Sequence, residues 1–332
     1  MSTHEREITE PVDLCTPDGR LNPAAIGWSR TPLHTCNLRG WGRTKRWEYW
    51  CVTTPTHLIA ITVSDIDYLA LNSVYFLEYG GREVERTAMV PLRGGVRLPR
   101  SLGDEDVIVN GAVNIEILRE PGGTRLRARC VTTDGPIEAD LLVTMPEGHE
   151  TLSVVIPWSE RRFQYTSKHT ARPAEGIVTI GSASYDFAGG WGVLDHGRGR
   201  WPYDTRWNWG AAGGHAGGHA VGLQFGGTWT RGTGMTENSL CVDGRLTKIG
   251  EELDWSYADV MKPWEISTPG SDRVRLTFTP FHDRKAKANA GFIATDVHQC
   301  FGHYTGTVRP DGGEPIHVDR LLGWAEQVHM RW

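Results

Sequence analysis

The chain of 332 residues has no run of about 18 apolar residues, so no segment reads as a membrane-spanning helix. It also lacks a Cys-x-x-Cys pair: its six cysteines, Cys15, Cys36, Cys51, Cys130, Cys241 and Cys300, stand far apart. The opening MSTHEREITEPVD has no apolar core of the kind a secretion signal carries. The expectation is therefore a cytoplasmic protein with free thiols rather than a disulfide framework. Positive charge is not in excess. With 35 Lys and Arg against 40 Asp and Glu, the net charge is −5, which argues against a nucleic-acid partner. No Gly-x-Ser-x-Gly nucleophile elbow occurs, and GRGRWP lacks the third glycine and following helix of a dinucleotide turn. No segment holds a helical period for three turns, which leaves strands.

What is abundant is glycine, 40 residues, and tryptophan, 14. The pattern fits tight turns between strands around a roomy aromatic interior. Met1–Val12 reads as a disordered polar arm, and residues 1–45 as an arm and entry segment. The first clear strand is Arg46–Thr54, where Arg43, Lys45 and Arg46 interleave with Trp41, Trp47 and Trp50 as a basic outer face or as cations stacked on rings. Strands then follow quickly: a pair turning near Asp65, REVERTAMVPL, turns at Gly94 and Gly103, and a hairpin through EPGG. ETLSVVIPW closes a first half, residues 46–160, and FQYTSKH opens a second, residues 161–332, with a seam near 158–163. In that half a glycine-rich loop leads to a hairpin turning at Asp243-Gly244, and GFIATDVHQCFGHYTGTV supplies a late strand. Strands in such succession hide their edges by forming a barrel or sandwich.

The chemistry concentrates in Gly189–Trp209, GGWGVLDHGRGRWPYDTRWNW. Asp195, His196, Arg198 and Arg206 lie there among Trp191, Trp201, Tyr203, Trp207 and Trp209. Charges are rarely buried unless paired, and large aromatics around them exclude water and strengthen each polar contact. The segment therefore reads as the floor of a small-molecule pocket, against the plainer alternative of a structural ion-pair network under tryptophans. Neighbouring strand residues point to opposite faces, so only one of Asp195 and His196 faces such a pocket. Glu237, in Thr236-Glu237-Asn238, is the best second carboxylate, with Asn238 beside it; its plainer role is to pair with Arg198 or Arg206. Lys168 and His169, at the end of FQYTSKH, can reach the same cavity or form a solvated strand end. His215 and His219 have a spacing that binds metal on a helix, but the glycines around them oppose a helix and no third ligand is evident. No metal and no cofactor is expected.

Five motifs, LCTPDGRLNPAAIGWSR, GRTKRWEYW, GVLDHGRGRWPYDTRWNWG, TENSLCVDG and VHQCFGHYTGTV, resemble a bacterial family known only as a domain of unknown function, nearly end to end. More distantly, VLDHGRG is similar to the Asp-His-Glu-Trp strand motif of the double-lipocalin carotenoid hydratases (hydroxyneurosporene synthases), to which tocopherol cyclases and fungal Diels–Alderases are similar in fold. Asp195 and His196 match that motif, while Gly197-Arg198 stands in place of Glu-Trp. The resemblance implies an all-β fold of two lipocalin-like antiparallel barrels with little helix. It implies an apolar cavity in which acidic or histidine side chains act on a lipophilic olefin. The reading is an enzyme that hydrates, dehydrates or cyclises a lipophilic, isoprenoid-like substrate, with Asp195, His196 and Glu237 as its catalytic candidates. The alternatives are a carrier of a lipid-like ligand, and a glycoside-active enzyme using Asp195 and Glu237.

Overall fold

The computed structural model describes residues 3–92, 95–289 and 293–332. The turn expected at Gly94, and Gly291-Phe292 at the start of the late strand, lie outside the described residues. The described residues are all-β, and Pro23–Ala25, a single 3-10 turn, is the one helical element among them. None of their helices is long and apolar enough to cross a membrane. All six cysteines are buried and unpaired with one another.

Two strongly curled antiparallel sheets make up the body of the molecule, as a double lipocalin-like fold requires, with a small parallel pair, Val12–Asp13 and His34–Thr35, beside them. The first has 13 strands, with the main path Glu83–Pro91, Leu69–Glu78, His57–Asp65, Thr44–Thr53, Gly190–Arg200, Arg162–Ile180, Gly135–Thr144, Gly123–Thr132, Val113–Glu120 and Val107–Val109. The second has nine, in the order Arg245–Ile249, Asn238–Val242, His219–Gly227, Asp204–Ala216, Ile316–Arg331, Ala294–Val308, Val274–Asn289, Trp264–Ser267 and Asp254–Ser256. Most neighbours are also sequence neighbours, joined by short turns. The Asp243-Gly244 turn has φ of 48° and 78°, the left-handed pair that a two-residue hairpin takes, so Gly244 suits its place.

Curling brings the far ends of each sheet onto one core. In the first sheet Val84, near one edge, joins Val107, Val113 and Ile115 near the other in a single apolar cluster with Trp50, Ile61 and Phe187. The second sheet encloses Leu223, Phe225, Trp264, Ile266, Phe278 and Tyr304. A third cluster, with Tyr49, Tyr75, Val193, Trp209, Phe301 and Trp324, lies between the sheets and joins their outer faces.

The Gly190–Arg200 strand breaks the sequential order, since it inserts between Thr44–Thr53 and Arg162–Ile180 at the centre of the first sheet. The chain changes sheet after it, across Trp201–Tyr203. Residues 158–163, where a seam was expected, make a hairpin inside the first sheet, with Ser159 opposite Arg162.

From Thr3 onward the N-terminal arm is ordered, contrary to the expectation of disorder. Ile8 and Leu14 are buried, Glu7 bridges to Trp28, and Glu5 forms a buried ion pair with Lys248. Sparse apolar residues and one charge with a buried partner suffice to anchor it. The basic cluster of the first strand takes the ring-stacking alternative: Arg43 lies 5.3 Å from the Tyr203 ring, and Lys45, fully buried, 4.6 Å from that of Tyr68.

Candidate functional site

Strand register builds the site from two rows of cross-strand neighbours. On the first sheet, Tyr49, Asp195 and Lys168 stand side by side on three adjacent strands. On the second, Gly226, Trp209, Glu326, Gln299 and Arg284 form a row across five strands. The rows face each other where the outer sheet surfaces meet. Glu237, just before the Asn238–Val242 strand, closes one end.

Lys168 is the hub. Its ammonium lies 2.9 Å from Asp195 Oδ1, 3.4 Å from Glu237 Oε2 and 4.2 Å from the centre of the Trp209 ring. Burial alone would discharge it, but Asp195 and Glu237 outweigh that, and its pKa is raised. Both oxygens of Glu237 are occupied: Trp229 Nε1 donates to Oε1 at 2.7 Å, and Gln224 Nε2 donates to Oε2 at 3.5 Å alongside Lys168. Glu326 is held more loosely. Gln299 Nε2 donates to Oε1 at 2.8 Å and Trp207 Nε1 to Oε2 at 3.4 Å, and among the described residues no cation forms an ion pair with it. Burial pushes both Glu237 and Glu326 up to about 7; Lys168 opposes this and Asp195 adds to it. Two carboxyls near neutrality beside an ion pair form a constellation that can give and take protons at ordinary pH.

Asp195, Glu326 and Tyr49 are buried but not sealed, each keeping 8–9 % of its surface. Gln299 also donates to the Tyr49 hydroxyl at 3.0 Å, and Arg284 donates to Gln299 Oε1 at 3.1 Å, which fixes the orientation of that amide. The walls are aromatic: Trp209 packs edge-on to Tyr49 and Trp324, and Trp201 stacks on Trp229 at 5.3 Å with Trp158, Trp207 and Trp332 around it.

The structure brings Lys168, Asp195, Glu237, Trp207 and Trp209 together, with Trp201 one ring away, and separates the others. The alternation of the Gly190–Arg200 strand settles the Asp-His choice by geometry. Asp195 faces the second sheet, while His196 and Arg198 point into the first barrel. There His196 and Arg198 pack on Glu48, at 3.6 and 3.7 Å, and Arg119 binds the same carboxylate at 2.9 Å. Burial and the nearby Arg198 lower His196 to about 4, so the imidazole is neutral. Arg198 spends its remaining donors on the carbonyls of Trp47, Gly197 and Pro99. Glu237 thus pairs with Lys168, and neither Arg198 nor Arg206 is its partner.

Arg206 and Tyr203 are exposed, away from the rows. Trp191 lines a separate small pocket of about 150 Å³ with His149, Ala171 and Gly244, and packs edge-on to His215. Asn238 is structural: its side chain accepts from Gly226 N–H and donates to the Glu251 carbonyl. His169 is buried in the first barrel, where it contacts Ser167 and Arg172. His219 pairs with Asp243 at 2.6 Å, and among the described residues no group of three His, Cys, Asp or Glu is arranged to hold a metal.

Sequence reasoning missed Glu326, Tyr49, Gln299 and Arg284. Each lies on an ordinary-looking strand, and only pairing with the central strands marks it. Glu326 carried one faint signal, an acid between apolar residues in LLGWAEQV.

Among known proteins, a family model described as "Domain of unknown function (DUF2804)" matches residues 5–332. No curated protein sequence matches the chain. Solved structures share its fold at low identity, among them the two that follow. A putative AttH from Nitrosomonas europaea aligns with a TM-score of 0.51 at 13% identity, over 86% of this chain and 92% of that one. Kievitone hydratase from Nectria haematococca aligns with a TM-score of 0.53 at 10% identity, over 88% and 89%.

Proposed function

The chain belongs to the DUF2804 family, and on that premise we propose that it is an enzyme that moves protons on a lipophilic small molecule at the junction of its two sheets, by hydration, dehydration or cyclisation. The observation that carries this reading is the pair of facing rows, Tyr49–Asp195–Lys168 against Trp209–Glu326–Gln299, with Glu237 at their end. In this reading Glu326 is the proton donor, because it keeps a little exposed surface and among the described residues no cation forms an ion pair with it. Asp195, on the facing row, accepts a proton or stabilises positive charge that develops on the substrate. Glu237, with both oxygens engaged, keeps Lys168 in place. The aromatic walls exclude water and favour an apolar ligand. That one protein sharing the fold is named a hydratase supports the reaction class by analogy.

A carrier has no need of four ionisable groups on its wall. A glycoside site needs two carboxyls flanking the bond, whereas Asp195 and Glu237 share one ammonium, and Trp201 and Trp209 are buried rather than spread on an open cleft.

The test begins with native mass spectrometry of the isolated protein, followed by incubation with linear isoprenoid olefins and prenylated phenols. Products are scored for gain or loss of one water, or for isomerisation at constant mass. Glu326→Gln and Asp195→Asn should each lower conversion by roughly 10²–10⁴-fold while binding changes little. Binding without conversion across the panel would establish a carrier. Variants that lose binding and stability in parallel would assign these carboxyls to the scaffold.

A further inference from the structure

The N-terminal arm reaches the site from outside both sheets. Its Glu5 carboxylate accepts the Thr236 N–H at 2.6 Å and pairs with Lys248, both side chains being fully buried. Lys248 also donates to Thr236 Oγ1 at 2.7 Å and to the Ile249 carbonyl at 3.2 Å. The arm is itself pinned: Trp28 Nε1 donates to the Glu5 carbonyl at 3.2 Å, and His4 Nε2 lies 3.2 Å from the Gly234 carbonyl. Thr3 packs so closely that a Cβ on Gly250 would come within 2.2 Å of its Oγ1. Thr236 is the residue before Glu237, so these contacts set where the Glu237 side chain starts.

We infer that Glu5 is a positioning residue of the site, holding the Thr236–Glu237 backbone in place and cancelling the charge of Lys248 close to Glu237. The inference rests on the reading above that Glu237 belongs to the working site. The charged groups facing Glu237 are Lys168 and Asp195 from the first sheet and Lys248 from the Arg245–Ile249 strand, with Glu5 and Glu252 behind Lys248. Without Glu5, two buried ammoniums would bear on one carboxylate. Glu237, which keeps Lys168 in place, would then be held more firmly as an anion. With Glu5 present, the Lys248 pair is neutral as a unit, and Lys168 with Asp195 is neutral as another. An arm residue thus shapes the protonation of a site residue that it does not touch.

The experiment uses the full chain labelled with 5-fluorotryptophan and followed by fluorine NMR through a pH titration. Trp229, whose indole donates to Glu237, reports that carboxyl, and Trp207, whose indole donates to Glu326, serves as an internal control. The two resonances are assigned with Trp229→Phe and Trp207→Phe. Glu5→Gln should lower the Trp229 midpoint by about 1–3 pH units, the usual effect of an opposite charge nearby, and leave the Trp207 midpoint in place. Lys248→Met should move the Trp229 midpoint upward, and Glu5→Gln with Lys248→Met should bring it back toward the wild-type value. A merely structural arm would lower the melting temperature in all three without opposite midpoint shifts. An unmoved midpoint in Glu5→Gln, or a double variant that tracks Glu5→Gln alone, would overturn the inference. Should Glu5→Gln not fold, the sign of the Lys248→Met shift decides. No turnover enters this measurement, so a failure of the proposed activity leaves its outcome separately readable.

Discussion

At the scale of residues, the candidate site is marked by carboxyls that disagree with their surroundings. Glu237 and Glu326 are pushed up to about 7, chiefly by burial, from an ordinary value of 4.5. The folded protein therefore binds more protons than the unfolded chain between those values, and stability drains away as pH rises through that window. His196 acts on the acid side. Lowered from 6.5 to about 4, it is neutral when folded, so its contribution is lost as pH falls through that range. Glu237→Gln removes one alkaline loss, amounting to about 3 kcal/mol at most. Relative to wild type, the variant should melt higher at about pH 8 than at about pH 5. Thermal melts at both values check this, and equal offsets would mean that Glu237 ionises like an exposed carboxylate.

At the scale of elements, a few glycines decide whether side chains fit. A Cβ on Gly226 would lie 2.1 Å from Glu237 Cγ and 2.3 Å from its Oε1, so the strand His219–Gly227 makes room for that carboxylate by having no side chain there. Gly226→Ala should dislodge Glu237, break its bond to Trp229 and cost roughly 1–3 kcal/mol through overpacking. The second sheet itself should persist, since the Asp204–Ala216 and His219–Gly227 strands stay in register on either side of the Trp209–Gly226 pair. Circular dichroism and the Trp229 fluorine resonance together check this: strand content kept, Trp229 shifted and no longer titrating. An unchanged Trp229 signal would show that Glu237 tolerates the methyl. The Arg162–Ile180 strand shows the same economy. Its register slips between His169 and Arg172, with Ala171 at φ 52°, so the sequence run FQYTSKHTARPAEGIVTI bends there instead of continuing flat.

At the scale of the molecule, the two sheets are held by what lies between them. Trp324, fully buried, packs edge-on to Tyr49, Trp209 and Phe301, joining first-sheet and second-sheet residues in one cluster. Polar ties cross the junction beside it, with Arg284 on Glu85 at 2.8 Å and His282 on Glu83 at 3.2 Å. The candidate site sits in this junction, so what binds the sheets together also positions its side chains. Trp324→Ala should cost about 3–5 kcal/mol, and unfolding should remain a single transition seen alike by fluorescence and circular dichroism. Two separated transitions would show that the sheets fold independently and that the site is assembled only by their docking.

Much of this protein was legible in its sequence. Alternation of apolar residues and closely spaced turns pointed to an all-β chain, because the period of 2 is a local property that each strand displays by itself. Asp-Gly at 243–244 marked its hairpin for the same reason. The stretch Gly189–Trp209 declared itself through charges among tryptophans, and Asp195, Lys168 and Glu237 were all within reach of that reasoning. Which face each residue takes was stated only as an alternative, Asp195 or His196. It was settled by the insertion of the Gly190–Arg200 strand between two others, with Tyr49 and Lys168 opposite Asp195 and Glu48 opposite His196. Glu326 and Tyr49 could not be picked out, since neither has a local signature. They become site residues because strands distant in sequence pair in one register and two sheets pack face to face. The ordering of the arm around Glu5 has the same origin: its partner Lys248 lies far along the chain, and a single buried ion pair leaves no mark on local composition.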